Sequence, residues 1–310
     1  MSFTEEQLNS SVGYFVGEPG ATLQGGEWTI IRKLGWGPRS STWLAVSSKD
    51  PNDIEAIKIF TVAATQDGYA DNERDLLDGP LEDSFQTLPC LRSSFYEERA
   101  KGKHLALVLH VLGSSVESFR VAHGGSLPLT AVKKIVADVL ESLADLQKKK
   151  IVHNGALLAY KIIVAVTDLL AAVTAENILF GGIQQGPHII AAVAASPSVK
   201  AEDVTDAQGN VYRVVKSQPF APQSDDISHE SLYLSNFGHG LFLSPISIGD
   251  YLISVTSALP EQGDVSSKSD ILSLGLTVGF TGILSSSSHL LSTGISPPYW
   301  HPATSCFGEC

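Results

Sequence analysis

Short runs of β-branched and aromatic residues, broken by glycine, proline and polar clusters, mark the first third of the chain. Trp28-Thr-Ile-Ile-Arg-Lys-Leu34 reads as a strand, and Gly35 to Ser40 as a turn. Thr42 to Val46 then returns as a second strand, and a polar loop from Ser47 to Asp53 leads to a third, Glu55 to Phe60. Lys103 to Gly113 is a longer apolar run that reads as a buried strand passing into a connector. Asn72 to Leu77 reads as a helix carrying Glu73. The periodicity changes at Leu129, where Val132, Ile135, Val136, Val139, Leu140, Leu143 and Leu146 recur at three and four. That spacing predicts a core helix from Leu129 to Lys150, capped by Thr130 and closed by Lys148, Lys149 and Lys150.

Three stretches carry no such period. Residues 1–26 read as an extension rich in Gly and Pro, and 285–310 as an irregular Ser-, Gly- and Pro-rich tail. Ala156 to Val173 is strongly apolar, but Lys161 and Asp168 lie inside it. A spanning helix wants about 20 apolar residues and pays heavily for central charges, so this segment is expected to be a buried or irregular insert.

The 310 residues are enough for one two-lobed domain or two modest ones, and 43% hydrophobic content supports a sizeable core. A net charge of −12 argues against nucleic acid and suits basic protein partners. Cys90, Cys306 and Cys310 form neither a disulfide framework nor a zinc pattern. Met1 to Asn9 is polar and acidic, not a signal peptide. Together these point to a cytoplasmic or nuclear protein with no membrane attachment.

Candidate chemistry lies in an ordered series of motifs. Leu34-Gly-Trp-Gly37 and Ser40 to Ala45 form a glycine-bearing hairpin, flanked by strands on both sides rather than by strand and helix. Ala56-Ile57-Lys58 puts a lysine in a β-branched strand, and Glu73 follows in a helix. Val152-His153 precedes Glu176-Asn177-Ile-Leu-Phe180, and Asn236-Phe-Gly-His239 comes later. In this order the motifs resemble the eukaryotic protein kinases, in the flavour of the SR-protein-kinase-like Ser/Thr kinases common in fungi. The resemblance covers about Trp28 to Phe280.

The resemblance implies an α+β, two-lobed protein-kinase-like fold. An antiparallel sheet plus one helix should form the N-lobe over 27–112, and a mainly helical, apparently truncated C-lobe should occupy 113–284. Inserts are expected at 156–172 and about 181–230. It implies ATP bound through Gly35, Gly37, Ser40, Thr42, Lys58, Glu73, Leu109 and Leu112, with Leu109 guarding the back pocket. Mg would be held by Asn177 and Asn236, with Asn177 also in the catalytic loop. Glu261 and Asp270 would brace the C-lobe, and basic Ser/Arg-rich proteins would be the partners.

The departures fall on the residues that do the chemistry. The catalytic Asp of a kinase lies five residues before the loop Asn, where this chain has Ala172. Removing 156–172 restores the spacing but leaves Gly155 at that position and Thr174 in place of the loop lysine. Asp168 is the rival base, nine residues before Asn177 and too far for the loop. Asn236 replaces the metal-binding Asp, and Pro38 removes an N–H at the hairpin tip. Three readings stay open on sequence: a pseudokinase with residual nucleotide binding, an active Ser/Thr kinase using Asp168, and a mis-spliced or truncated kinase gene product.

Overall fold

The computed structural model describes residues 12–153, 174–181, 186–205, 209–222 and 224–242. In chain order these form β1 (Thr22–Leu23), β2 (Trp28–Gly37), β3 (Ser40–Ser47), β4 (Ile54–Phe60), α1 (Val62–Gln66), α2 (Tyr69–Leu77), β5 (Leu91–Arg99) and β6 (Gly102–Leu109). There follow α3 (Val116–Ala122), α4 (Leu129–Lys148), β7 (Ile151–Val152), β8 (Ile178–Phe180), α5 (Gly186–Ala195), β9 (Glu202–Thr205), β10 (Val211–Val214), β11 (Leu232–Leu234) and β12 (Leu241–Phe242).

The first six strands make one antiparallel sheet in the order β1-β2-β3-β4-β6-β5. The glycine-bearing turn is tighter than expected. Strand pairing runs out to Gly37 and resumes at Ser40, leaving Pro38 and Arg39 as the turn. Two register shifts, at Ile30/Arg32 and Lys33/Gly35, twist this hairpin. β5 carries almost no alternation, because only Phe95 on it is buried; an edge strand wetted on most of its length leaves no hydrophobic signature.

Side chains alternate across β4, so the sheet has two unlike faces. Ile57 and Ile59 join Trp28, Ile30, Trp43 and Val108 on the outer face, which Phe15 and Leu23 cover. Phe60 joins Leu105, Leu107 and Leu109 on the inner face, against Tyr69, Ala70 and Leu77 of α2. A short helix, α1, precedes α2, so the sheet carries two helices where one was expected. Thr61 caps α1, its hydroxyl accepting from the Ala64 N–H.

The inner core continues into the second lobe. Ile135, Val139 and Leu146 of α4 share it with Ile178, Phe180 and Phe237. α4 begins at Leu129, one residue before the expected cap: Pro128 is the N-cap and no side chain bonds there. A proline N-cap still sets the entry, because its fixed φ suits the non-helical residue before the first turn. Leu140 is 45% exposed rather than core, since the 100° step from Val139 carries it off the buried stripe. Lys150, at φ 57, ends the helix. The C-lobe segments expected beyond Phe242, with Glu261 and Asp270, lie outside the described residues.

The insert between Asn177 and Asn236 is built structure rather than plain loop. α5 packs Ile189 with Leu34, Leu44, Ile54, Ala56 and Val111, beside Phe220. The following segment runs along the edge of β2 that β1 leaves uncovered. Gln218 N–H donates to Lys33 O at 2.8 Å, Lys33 Nζ donates to Val215 O at 3.0 Å, and Arg32 bonds Ser196 O. Lys33, 1% exposed, is thereby buried with a partner. An open sheet edge invites pairing with other chains, and the insert removes that edge.

This packing generates a stability test. Ile189→Ala deletes buried methyl groups at the seam between insert and sheet. We expect a loss of about 2–5 kcal/mol in urea unfolding; a change within about 0.5 kcal/mol, the range of surface substitutions, would mean that α5 is loosely attached.

Candidate nucleotide cleft

The inner face of the sheet sets the first residue. Thr42 pairs across the strands with Lys58, and Lys58 with Leu107, so the Lys58 side chain emerges among apolar neighbours. A buried ammonium needs a counter-charge. On α2, Tyr69, Ala70, Glu73, Leu76 and Leu77 are buried, a helical stripe that turns Glu73 toward the sheet. Lys58 Nζ donates to both Glu73 oxygens, at 2.7 and 2.8 Å, with the two side chains 11% and 3% exposed. The solvated face formed by Asp71 and Asp75 does not include Glu73.

Two short hairpins bring the second half of the cleft into place. β8 pairs with β11, Ile178 opposite Leu234. That register puts Asn177, just before β8, beside Ser235 and Asn236, just after β11. The Ser235 N–H and hydroxyl both donate to Asn177 O, at 2.9 and 3.0 Å. β7 pairs with β12 and fixes His153, whose Nε2 lies 2.9 Å from Ser235 O and whose ring meets Phe237 edge-on at 4.9 Å. Asn236 sits at φ 76, a left-handed conformation that Asn tolerates better than most residues.

The amide of Asn236 is oriented by its neighbours. Its Oδ1 accepts from Lys58 Nζ at 3.3 Å and from the Tyr69 hydroxyl at 2.8 Å. Its Nδ2 donates to Asn177 Oδ1 at 3.2 Å. Lys58, Glu73, Asn177 and Asn236 therefore form one connected network. Gly35 and Gly37 lie at the end of β2, and a Cβ added at either would meet nothing within 4 Å. Ser40 opens β3. Leu109, 9% exposed, pairs with Ala56 at the end of β6, and Leu112 follows in the connector. The connector is pinned by His110 N–H to Cys90 O, Gly113 N–H to Phe180 O and Ser114 N–H to Phe220 O. Asp168, with Gly155 and the run 156–172, lies outside the described residues.

No family model matches the chain. Over 132 residues it is 33% identical to Serine/threonine-protein kinase SRPK of Physarum polycephalum, covering 41% of this chain and 31% of that protein. It is 31% identical to SRSF protein kinase 3 of Mus musculus over 139 residues, 43% of this chain and 24% of that protein. Serine/threonine-protein kinase SKY1 of Saccharomyces cerevisiae matches at 24% over 204 residues, 63% of this chain and 27% of that protein. The chain is a protein-kinase-like relative of the SRPK type.

The chain spans about a quarter to a third of the length of these curated relatives. Among solved structures, the kinase domain of Mycobacterium tuberculosis PknI aligns with a TM-score of 0.48 at 13% identity, over 85% of this chain and 77% of that one.

Magnesium does not fit the amides of Asn177 and Asn236 as they stand. The ion takes octahedral oxygen ligands, usually including a carboxylate. Asn236 is neutral, its Oδ1 already has two donors, and its Nδ2 faces Asn177. Among the described residues no group of three or more His, Cys, Asp or Glu could hold a metal, and no helix is long and apolar enough to cross a membrane.

The sequence pattern assigned no role to the side chains of Tyr69, Arg39 and His239. The Arg39 guanidinium stacks over the Tyr69 ring at 4.6 Å and pairs with Asp67 at 2.5 Å. Tyr69 also meets His239 edge-on at 4.7 Å, and burial pushes its hydroxyl well above the usual phenol range. The available signal was position: Tyr69 lies one helical turn before Glu73, on the same face.

The buried pair makes a sharp prediction. Glu73→Ala leaves Lys58 uncompensated and should cost about 3–5 kcal/mol, whereas Lys58→Met with Glu73→Met should recover most of it. Urea unfolding of the three proteins measures this, and equal destabilisation by single and double changes would remove the pair from its role.

Burial also holds the imidazoles of His104, His110 and His239 below their ordinary value. Between those lowered values and about pH 6.5 the unfolded chain binds more protons than the native one. Stability therefore rises with pH across that window and is lost on acidification. The urea midpoint should fall from about pH 7 to about pH 5, and His104→Phe should flatten the slope; a midpoint independent of pH in both proteins would contradict it.

Proposed function

We propose that this chain is a kinase-shaped binding module: a pseudokinase of the SRPK type that holds nucleotide weakly and does not transfer phosphate. The observation that carries the reading is the Lys58–Glu73–Asn236–Asn177 network. Its lysine and its helix are in register, yet the two acids that kinases use for metal and proton are missing from their places. Phosphoryl transfer depends almost wholly on positioning and charge, so losing both acids removes most of its catalysis while leaving a cleft.

ATP is the nucleotide of this reading. Gly35, Gly37, Ser40, Thr42, Leu109 and Leu112 would hold its base and sugar, and Lys58, kept in place by Glu73, would face its phosphates. ATP would supply binding energy and order here rather than a transferable group. Asn177 and Asn236 would meet Mg only weakly. Partners would be basic Ser/Arg-rich proteins, in keeping with the net charge of −12 and the curated relative named SRSF protein kinase 3.

The second reading, an active Ser/Thr kinase, is favoured by the intact Lys58–Glu73 pair, which an inactive chain does not need for transfer. Asp168 would be its base. Transfer from labelled ATP to an Arg/Ser-rich peptide separates the two. We expect no measurable turnover from the natural chain, nor from Asn236→Asp alone, because metal, base and lysine act as a unit. Turnover is expected only when 156–172 is also deleted and Gly155→Asp added. Robust phosphorylation by the unaltered chain, abolished by Lys58→Ala, would establish the active enzyme instead.

A further inference from the structure

Tyr69 lies where the hairpin tip, α2 and the Asn236 segment converge. It is 7% exposed, and its hydroxyl donates to Asn236 Oδ1 at 2.8 Å. Its ring lies against Gly238 so closely that a Cβ there would overlap it. Arg39, from the Pro38–Arg39 turn, lies over the ring at 4.6 Å. The turn is itself tied down: Thr61 N–H donates to Arg39 O at 2.8 Å, the Tyr14 hydroxyl donates to Gly37 O at 3.0 Å, and the Arg39 guanidinium pairs with Asp67. The hairpin that would cover a nucleotide's phosphates is thus closed onto a tyrosine.

We propose that Tyr69 is a gate that takes the place of a divalent cation at Asn236, so that the closed cleft offers magnesium no ligand and the metal adds nothing to nucleotide affinity. This rests on the reading of the cleft as a nucleotide site. A cation binds the lone pairs of Asn236 Oδ1, which Tyr69 and Lys58 occupy as donors. An O–H group aimed at that oxygen also presents its positive end where the metal would approach. Lys58 is the phosphate-facing residue and must stay, so Tyr69 is the donor that has to leave. Its departure releases the ring from Gly238 and Arg39 together, coupling cation entry to opening of the hairpin. Tyr69 is a specificity-determining residue rather than a catalytic one.

The test is ATP titration, with and without magnesium, of the natural chain, Tyr69→Phe and Tyr69→Ala, read by calorimetry and thermal shift. Tyr69→Phe keeps the ring and frees one lone pair of Asn236; melting without ligand checks that each variant is folded. In the natural chain the affinities with and without magnesium should agree. In Tyr69→Phe magnesium should tighten ATP by about 2- to 10-fold, the range of one net hydrogen bond. Tyr69→Ala should show at least as much, and if it does not fold, Tyr69→Phe decides. A tyrosine with a purely structural role would alter both affinities equally. The proposal is overturned if magnesium has the same effect in all three proteins, including no binding by any of them. If the natural chain binds ATP but the variants gain no magnesium dependence, the gate alone fails. If the natural chain binds none and the variants bind magnesium-ATP, residual nucleotide binding fails and the gate stands.

Discussion

A single ion pair, Lys58 with Glu73, joins the two kinds of structure in the first lobe. An ammonium inside a β-sheet face is tolerable only if a carboxylate meets it there, and that carboxylate must come from another element. The requirement fixes the rotation of α2 about its axis: with Glu73 inward, Tyr69, Ala70, Leu76 and Leu77 also face the sheet. It also fixes what lies beyond. The third proton of Lys58 is directed at Asn236, which draws the β8–β11 hairpin and Asn177 into the same network.

That network differs from a phosphoryl-transfer centre in charge more than in shape. Asp at position 236 would be an acceptor only and would leave lone pairs for a cation. Asn has both donor and acceptor ends, and here each is used: oxygen toward Lys58 and Tyr69, nitrogen toward Asn177. Two amides bonded to each other satisfy themselves without metal. The backbone here holds Asn236 in a left-handed conformation and Phe237 packed on His153. Charge at this point of the network can change without disturbing its geometry, because fold and chemistry are separable.

The segment from α5 to Phe220 is part of the core of the first sheet. α5 and the segment through Phe220 lie against Leu34, Leu44, Ala56 and Val111, and their polar groups complete the exposed edge of β2. Arg32 and Lys33 are buried in consequence, each bonded to an insert carbonyl. Phe220 O also accepts from Ser114 N–H just after the connector between the lobes. The α5–Phe220 segment, the sheet edge and the connector are therefore joined by packing and hydrogen bonds.

Local pattern determined much of this in advance. The strands around Lys58, the long helix α4 and the order of the motifs were legible because each depends on neighbours within a few residues: β-branched runs for strands, a three-and-four repeat for α4. The motif order also placed Lys58, Glu73, Asn177 and Asn236 as candidates. The motif resemblance also implied that Lys58 would lie near Glu73 and Asn236, but only tertiary structure brings together partners 178 residues apart in the chain, such as Lys58 and Asn236. Tertiary structure alone decided that β5 is a strand, since an edge strand with one buried residue has no hydrophobic signal. It decided that Leu140 is exposed, because periodicity gives a stripe but not the stripe's width. And it decided the role of Tyr69, whose hydroxyl, ring and neighbour Arg39 acquire meaning only where a hairpin tip, a helix start and the Asn236 loop close on one point.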